Sequence, residues 1–189
     1  ALTIQAQVGA SSAVAFQLPF IATLHAQATT VGASGSVHVT GGSTIALTGT
    51  FDSSTKALNL SGGGFTFTGT LVGTVVSGTY TAPGGATGGF SSQSTASGTV
   101  TTYCGTFVTT GNAIGVFNLS VSASGAVSGV ASATIAGTTQ IQYFSGQVTG
   151  TTITLNTGGT PSGDTGTIQN GTITGHTGRP WSGSTSACQ

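Results

Sequence analysis

The chain has almost no charge. Of its 189 residues only Asp52, Lys56, Asp164 and Arg179 are formally charged, 2% of the total, and glutamate is absent. An ordinary soluble domain is about a quarter Asp, Glu, Lys and Arg. Two cations do not make the basic cluster that neutralises nucleic-acid phosphates or attracts anionic lipid headgroups. Two aspartates far apart in sequence do not suggest the oxygen cage of a calcium site. Methionine is absent and lysine occurs once, so with glutamate also missing several of the good helix formers are all but gone, and any helix is expected to be a short turn. No apolar run approaches the roughly 18 residues of a membrane-spanning helix. The longest candidate, from Ala13 to Leu24, is interrupted by Gln17 and Pro19.

Catalytic signatures are missing too. Serine is plentiful, but His25, His38 and His176 have only two carboxylates to orient them, and none lies in a nucleophile-elbow or zincin pattern. Gly62-Gly63-Gly64 lacks the following Lys-Ser/Thr of a phosphate loop. Asp52 and Asp164 sit in turn-like stretches, where Asp caps the backbone, rather than as the carboxylate pair of a glycosidase. The sequence therefore predicts no enzyme, no catalytic residue, no metal site and no cofactor.

What fills the chain is serine and threonine, about a third of it, with 33 glycines. Gly49-Thr50-Phe51, Gly69-Thr70-Leu71, Gly78-Thr79-Tyr80, Gly98-Thr99-Val100 and Gly105-Thr106-Phe107 repeat one beat: a small residue, a β-former, an apolar anchor. The glycines recur at about one strand plus one turn, as in a sandwich, barrel or β-repeat array. Between them side chains alternate as a pleated sheet requires: Phe117, Leu119 and Val121 against Asn118, Ser120 and Ser122, and Ile153 and Leu155 against Thr152, Thr154 and Asn156. Ser124-Gly125, Asn170-Gly171 and Gly62-Gly63-Gly64 supply the positive φ of tight reversals. The expected fold is all-β, an antiparallel sandwich or barrel-like array of about 12–16 short hairpin strands.

Gly49-Thr50-Phe51 precedes Ala57-Leu58-Asn59-Leu60-Ser61 much as Gly105-Thr106-Phe107 precedes Val116-Phe117-Asn118-Leu119-Ser120. Either two related β units or convergence of simple strands explains this. The domain expectation is an N-terminal strand segment over 1–35, a first β unit over 36–98 and a second over 99–189, closed by a disulfide. In the N-terminal segment Leu2, Ile4, Ala6 and Val8 alternate before the small residues from Gly9 to Ser12. Such a strand either begins the molecule's own sheet or is donated to a neighbouring copy.

Cys104 and Cys188 form neither a CxxC pair nor a zinc cluster. A bridge between them closes a long loop, worth roughly 4–5 kcal/mol as an upper figure, and calls for an oxidising compartment; the alternative is two buried thiols. A start at Ala1 fits a chain whose signal peptide has been removed, so a secreted or cell-surface protein is expected. Asn59, Asn118 and Asn170 head Asn-x-Ser/Thr triplets and are candidate glycan acceptors. Trp181, with His176 and Arg179 nearby, is either a sugar-stacking platform or a core plug near the chain end; a tyrosine beside it (Tyr80, Tyr103 or Tyr143) would favour the platform. The pairs Thr66/Thr68, Thr152/Thr154 and Thr172/Thr174 flank apolar residues and read as the wet side of half-buried strands.

Two functions follow as expectations. Near-zero net charge removes long-range self-repulsion, which suits a self-assembling subunit of an extracellular filament, sheath or matrix whose partners are copies of itself. The alternative is a carbohydrate-binding or adhesive β module.

Overall fold

The structure, a computed structural model, describes residues 2–8, 12–15, 30–39, 44–94, 100–109, 111–157, 160–175 and 180–188. Threonine, valine and isoleucine suit a pleated surface, and the described residues form sixteen strands and one turn of 3-10 helix, Ser186–Cys188. The first eight are β1 (Leu2–Val8), β2 (Ser12–Ala15), β3 (Thr30–Val39), β4 (Thr44–Asp52), β5 (Ala57–Gly62), β6 (Phe65–Val72), β7 (Val75–Thr81) and β8 (Thr87–Ser94). The second eight are β9 (Val100–Val108), β10 (Ile114–Ser122), β11 (Ala126–Ile135), β12 (Thr138–Thr149), β13 (Thr152–Thr157), β14 (Thr160–Gln169), β15 (Thr172–Gly175) and β16 (Trp181–Ser184). Each set of eight is an antiparallel meander that closes into a barrel, which removes the free sheet edge. β8 returns to β1 with Ile4 opposite Ser92, and β16 returns to β9 with Gly183 opposite Gly105.

β1, the predicted assembly strand, thus pairs on both sides within its own chain: Leu2 opposite Ser94, Ala6 opposite Phe90 and Val14, and Val8 opposite Ser12. The burial of the Leu2, Ile4, Ala6 and Val8 side chains lies outside what the structure describes. The two matching sequence segments fall on β4–β5 and β9–β10, both of which are neighbouring antiparallel strands. These are the fourth and fifth strands of one barrel and the first and second of the other. The likeness is therefore between two hairpins at different places in their meanders.

The glycine beat has a packing cause. Gly69, Gly78 and Phe90 stand opposite one another on β6, β7 and β8. The Phe90 ring folds over the glycines: a Cβ on Gly69 would lie 2.6 Å from Phe90 Cζ. The second barrel repeats the device with Gly183, Gly105 and Phe117 on β16, β9 and β10, where a Cβ on Gly105 would lie 2.7 Å from Phe117 Cζ. Glycine removes one layer of side chains and lets a large ring cover bare backbone. In the first barrel the result is a filled core. Phe67, Tyr80 and Phe90 are at most 2% exposed, and the Phe67 ring lies 5.5 Å from Tyr80 and 5.6 Å from Phe90.

Turn chemistry follows the sequence at two clear places. Gly63-Gly64 and Asn170-Gly171 have φ of 57° and 83°, and 51° and 74°, as two-residue hairpin reversals require. The barrels meet through a polar seam. The Gln93 amide donates to the carbonyls of Ser120 (3.2 Å) and Ala126 (3.0 Å), and the Tyr143 hydroxyl donates to the Gly78 carbonyl. Cys104 and Cys188 are disulfide-bonded, with Cα atoms 5.1 Å apart, tying the 3-10 turn to β9.

Candidate functional site

The two barrels differ inside. The half of the second barrel near the turns at 123–125, 150–151 and 170–171 is plugged by Tyr103, Val121, Val127, Ile153 and Ile173, none more than 9% exposed. The other half is hollow. Its cavity of about 460 Å³ opens at the end where β9 runs to β10 and β11 turns into β12. This is the size of a small-molecule pocket, at the mouth of an eight-stranded barrel, where such pockets commonly lie.

Three rings line the cavity against bare backbone. The Trp181 indole spreads over Gly175 and Gly166, with a Gly166 Cβ position 2.8 Å from two atoms of its six-membered ring. Phe107 covers Gly115 and Phe144 covers Gly129 in the same way. A Cβ at any of these glycines would overlap the ring, so glycine alone lets each ring lie along the wall and turn a face to the lumen. All three rings stay half-buried although they point into a barrel, because the lumen beside them is open. Phe117 meets Trp181 edge-on, 5.9 Å between centroids at 89°. Trp181 Nε1 is buried without a hydrogen-bond partner.

The polar lining comes from Gln140, Gln142, Thr157 and Asp164. Gln140 and Gln142 alternate with Ile141 and Tyr143 along β12, and here the polar residues face inward. Ile141 and Tyr143 instead reach the first barrel, at Gly89 and the Gly78 carbonyl. Asp164 is the one charged residue on the described cavity wall. Asp52, by contrast, caps the β4–β5 turn of the first barrel, accepting from the Ser54 amide (2.8 Å), the Ser54 hydroxyl (2.6 Å) and the Thr55 amide (3.2 Å). The Ser54 hydroxyl, foremost, holds the Asp52 carboxyl below the usual carboxylate range.

The sequence candidates fare unequally. Trp181 stands at the cavity, but its companions are phenylalanines. Tyr80 lies in the first barrel's core, Tyr103 in the plug, and Tyr143 between the barrels. His176 and Arg179, its sequence neighbours, lie outside the described residues, as do His25 and the side chain of His38. Asn59 and Asn170 are exposed. Asn118 is a correction: it is 0% exposed, with both amide atoms unpartnered, so the folded chain presents no acceptor there. The alternation reading placed it opposite Phe117 correctly, but that outer face is covered by the first barrel instead of water. Thr66, Thr68, Thr152, Thr154, Thr172 and Thr174 are exposed around buried Phe67, Ile153 and Ile173. Phe107, Phe144 and the two glutamines escaped the sequence reading.

The sequence matches no protein-family model and no curated protein.

Proposed function

We propose that this chain is a secreted carbohydrate-binding module whose site is the mouth of the second barrel. The observation that carries the reading is the set of ring faces, Trp181, Phe107 and Phe144, laid against glycine around one lumen. A pyranose has a face of C–H bonds and a rim of hydroxyls. The negative face of an aromatic ring attracts polarised C–H as it attracts positive charge. Gln140, Gln142, Thr157 and Asp164 supply donors and acceptors for the rim. A nearly uncharged protein suits a neutral ligand, since it offers no field for steering ions. The disulfide supports an oxidising compartment. The filament reading drew on near-zero charge, on strand edges and on the alternating N-terminal strand; the low charge favours it still, whereas both sheets close and β1 pairs within its own chain.

Trp181 is the chain's single tryptophan, so its emission reports on this site alone. Titration with glucose, galactose, mannose and their 1,4-linked disaccharides should give a saturable change for at least one sugar, with Kd of about 0.1–10 mM, equivalent to about 3–5 kcal/mol. Ala131→Phe, which places a ring in the lumen, should abolish it. Silence across the whole panel would refute the proposal.

A further inference from the structure

The shape of the lumen restricts how a glycan reaches it, an inference that rests on the carbohydrate reading of this site. The wall is a continuous ring of eight hydrogen-bonded strands, closed by β16 on β9. A polysaccharide held along its length needs a groove open at both ends, or a flat face beside which the chain can run. Here the inward positions descend from Thr109, Gln140 and Thr157 at the mouth, past the rings, to a floor of Tyr103, Val121 and Ile153 that is buried and filled. Nothing threaded from the mouth has a second way out through the described wall. Phe107 and Trp181 stand at the mouth-side ends of β9 and β16 and line the lumen together with Phe144, so a sugar stacked on them has the filled floor on one side and the mouth on the other. About 460 Å³ is in the lower half of the range for ligand pockets, room for one or two sugar rings and not for an extended chain.

We infer that the site recognises the ends of glycan chains and not their interiors. One or two terminal units enter the lumen, stack on Trp181 and hydrogen-bond to Gln140 and Gln142, while the rest of the chain leaves through the mouth into solvent. Affinity then depends on the number of chain ends and stops growing once the lumen is full.

The test uses the intact chain and Trp181 emission, with the sugar that responds in the panel above carried up to its hexasaccharide and its polymer. Affinity should rise from mono- to disaccharide and then level, with the hexasaccharide within about threefold of the disaccharide. Partial acid hydrolysis of the polymer at constant mass should raise the response in proportion to the ends created. For glucose, maltohexaose should bind at least about tenfold more tightly than the cyclic hexamer, which has the same units and no end. Affinity that keeps climbing with length would overturn the inference, as would equal binding of the cyclic hexamer or polymer binding that survives Ala131→Phe. Carbohydrate binding as such would stand in the first two cases, whereas polymer binding that survives Ala131→Phe would place it outside this lumen and remove the site as well. Failure of every sugar would remove that reading and this inference together.

Discussion

Replacing Tyr80 by phenylalanine should make the protein more stable. The Tyr80 hydroxyl is buried in the first barrel with no hydrogen-bond partner, and the residue is 2% exposed. A hydroxyl taken out of water without a partner costs about 1–3 kcal/mol, whereas the ring keeps its packing against Phe67, 5.5 Å away. Tyr80→Phe should therefore gain about 1–2 kcal/mol, or about 2–8 °C in Tm for a chain of this length. The variant should also change the response to alkali. Burial pushes the Tyr80 phenol far above its ordinary value of 10.0, and burial raises Tyr103 and Tyr143 as well. Above the unfolded pKa the unfolded chain loses a proton that the folded chain keeps. Stability then falls as pH rises, by up to about 1.4 kcal/mol per pH unit for Tyr80. The phenylalanine variant loses that share, so its advantage should widen between pH 9 and pH 11 (about 1 kcal/mol or more over that span). Urea melts at the two pH values measure both effects, and no free thiol is present among the described residues to reshuffle in alkali. A variant less stable than the parent at pH 9, with no widening at pH 11, would refute the reasoning.

Three further outcomes follow from the packing. Gly105→Ala would drive a Cβ into the Ser182 carbonyl oxygen and to 2.7 Å from Phe117 Cζ, so the urea midpoint should fall by the equivalent of about 2–3 kcal/mol; a neutral effect would contradict the ring-over-glycine account. Reduction of Cys104–Cys188, 84 residues apart, should cost at most about 4.5 kcal/mol in the chain-entropy estimate, seen as a lower calorimetric transition; an unchanged transition would mean that β9–β16 pairing alone closes the second barrel. Ala136 holds φ of 50° in the β11–β12 turn. That conformation costs a non-glycine residue about 1–2 kcal/mol, and glycine returns part of the gain as unfolded-state entropy. Ala136→Gly should therefore stabilise by about 0.5–1 kcal/mol, measurable as a Tm rise.

The sequence made local structure legible and long-range structure obscure, for physical reasons. Strand periodicity and turn chemistry are local: Asn170-Gly171 and the Thr-x-Thr pairs declare their conformations within a few residues. Barrel closure depends on β1 meeting β8 and β9 meeting β16, pairings set by register across most of each unit and marked by no local motif. Burial on the outer face was hidden for the same reason. Asn118, Ser120 and Ser128 look like a solvated edge but are 0–2% exposed under the first barrel. β12 shows the converse: Ile141 and Tyr143 carry the apolar signal of a core face, yet they serve the contact between barrels and leave Gln140 and Gln142 to the lumen. Trp181 was legible as a candidate because a lone tryptophan among small residues stands out. Its partner rings were not, because the glycines that make room for them lie on neighbouring strands.

The indole N–H of Trp181 gives the most direct test, because a single-tryptophan chain shows it as one peak in a proton–nitrogen correlation spectrum. On titration with the responding disaccharide, that peak should move and saturate together with the side-chain amides of Gln140 and Gln142, while the Gln93 amide between the barrels stays in place. Saturable binding that moves Gln93 or the first barrel and leaves the Trp181 peak untouched would contradict a site in the second barrel's mouth.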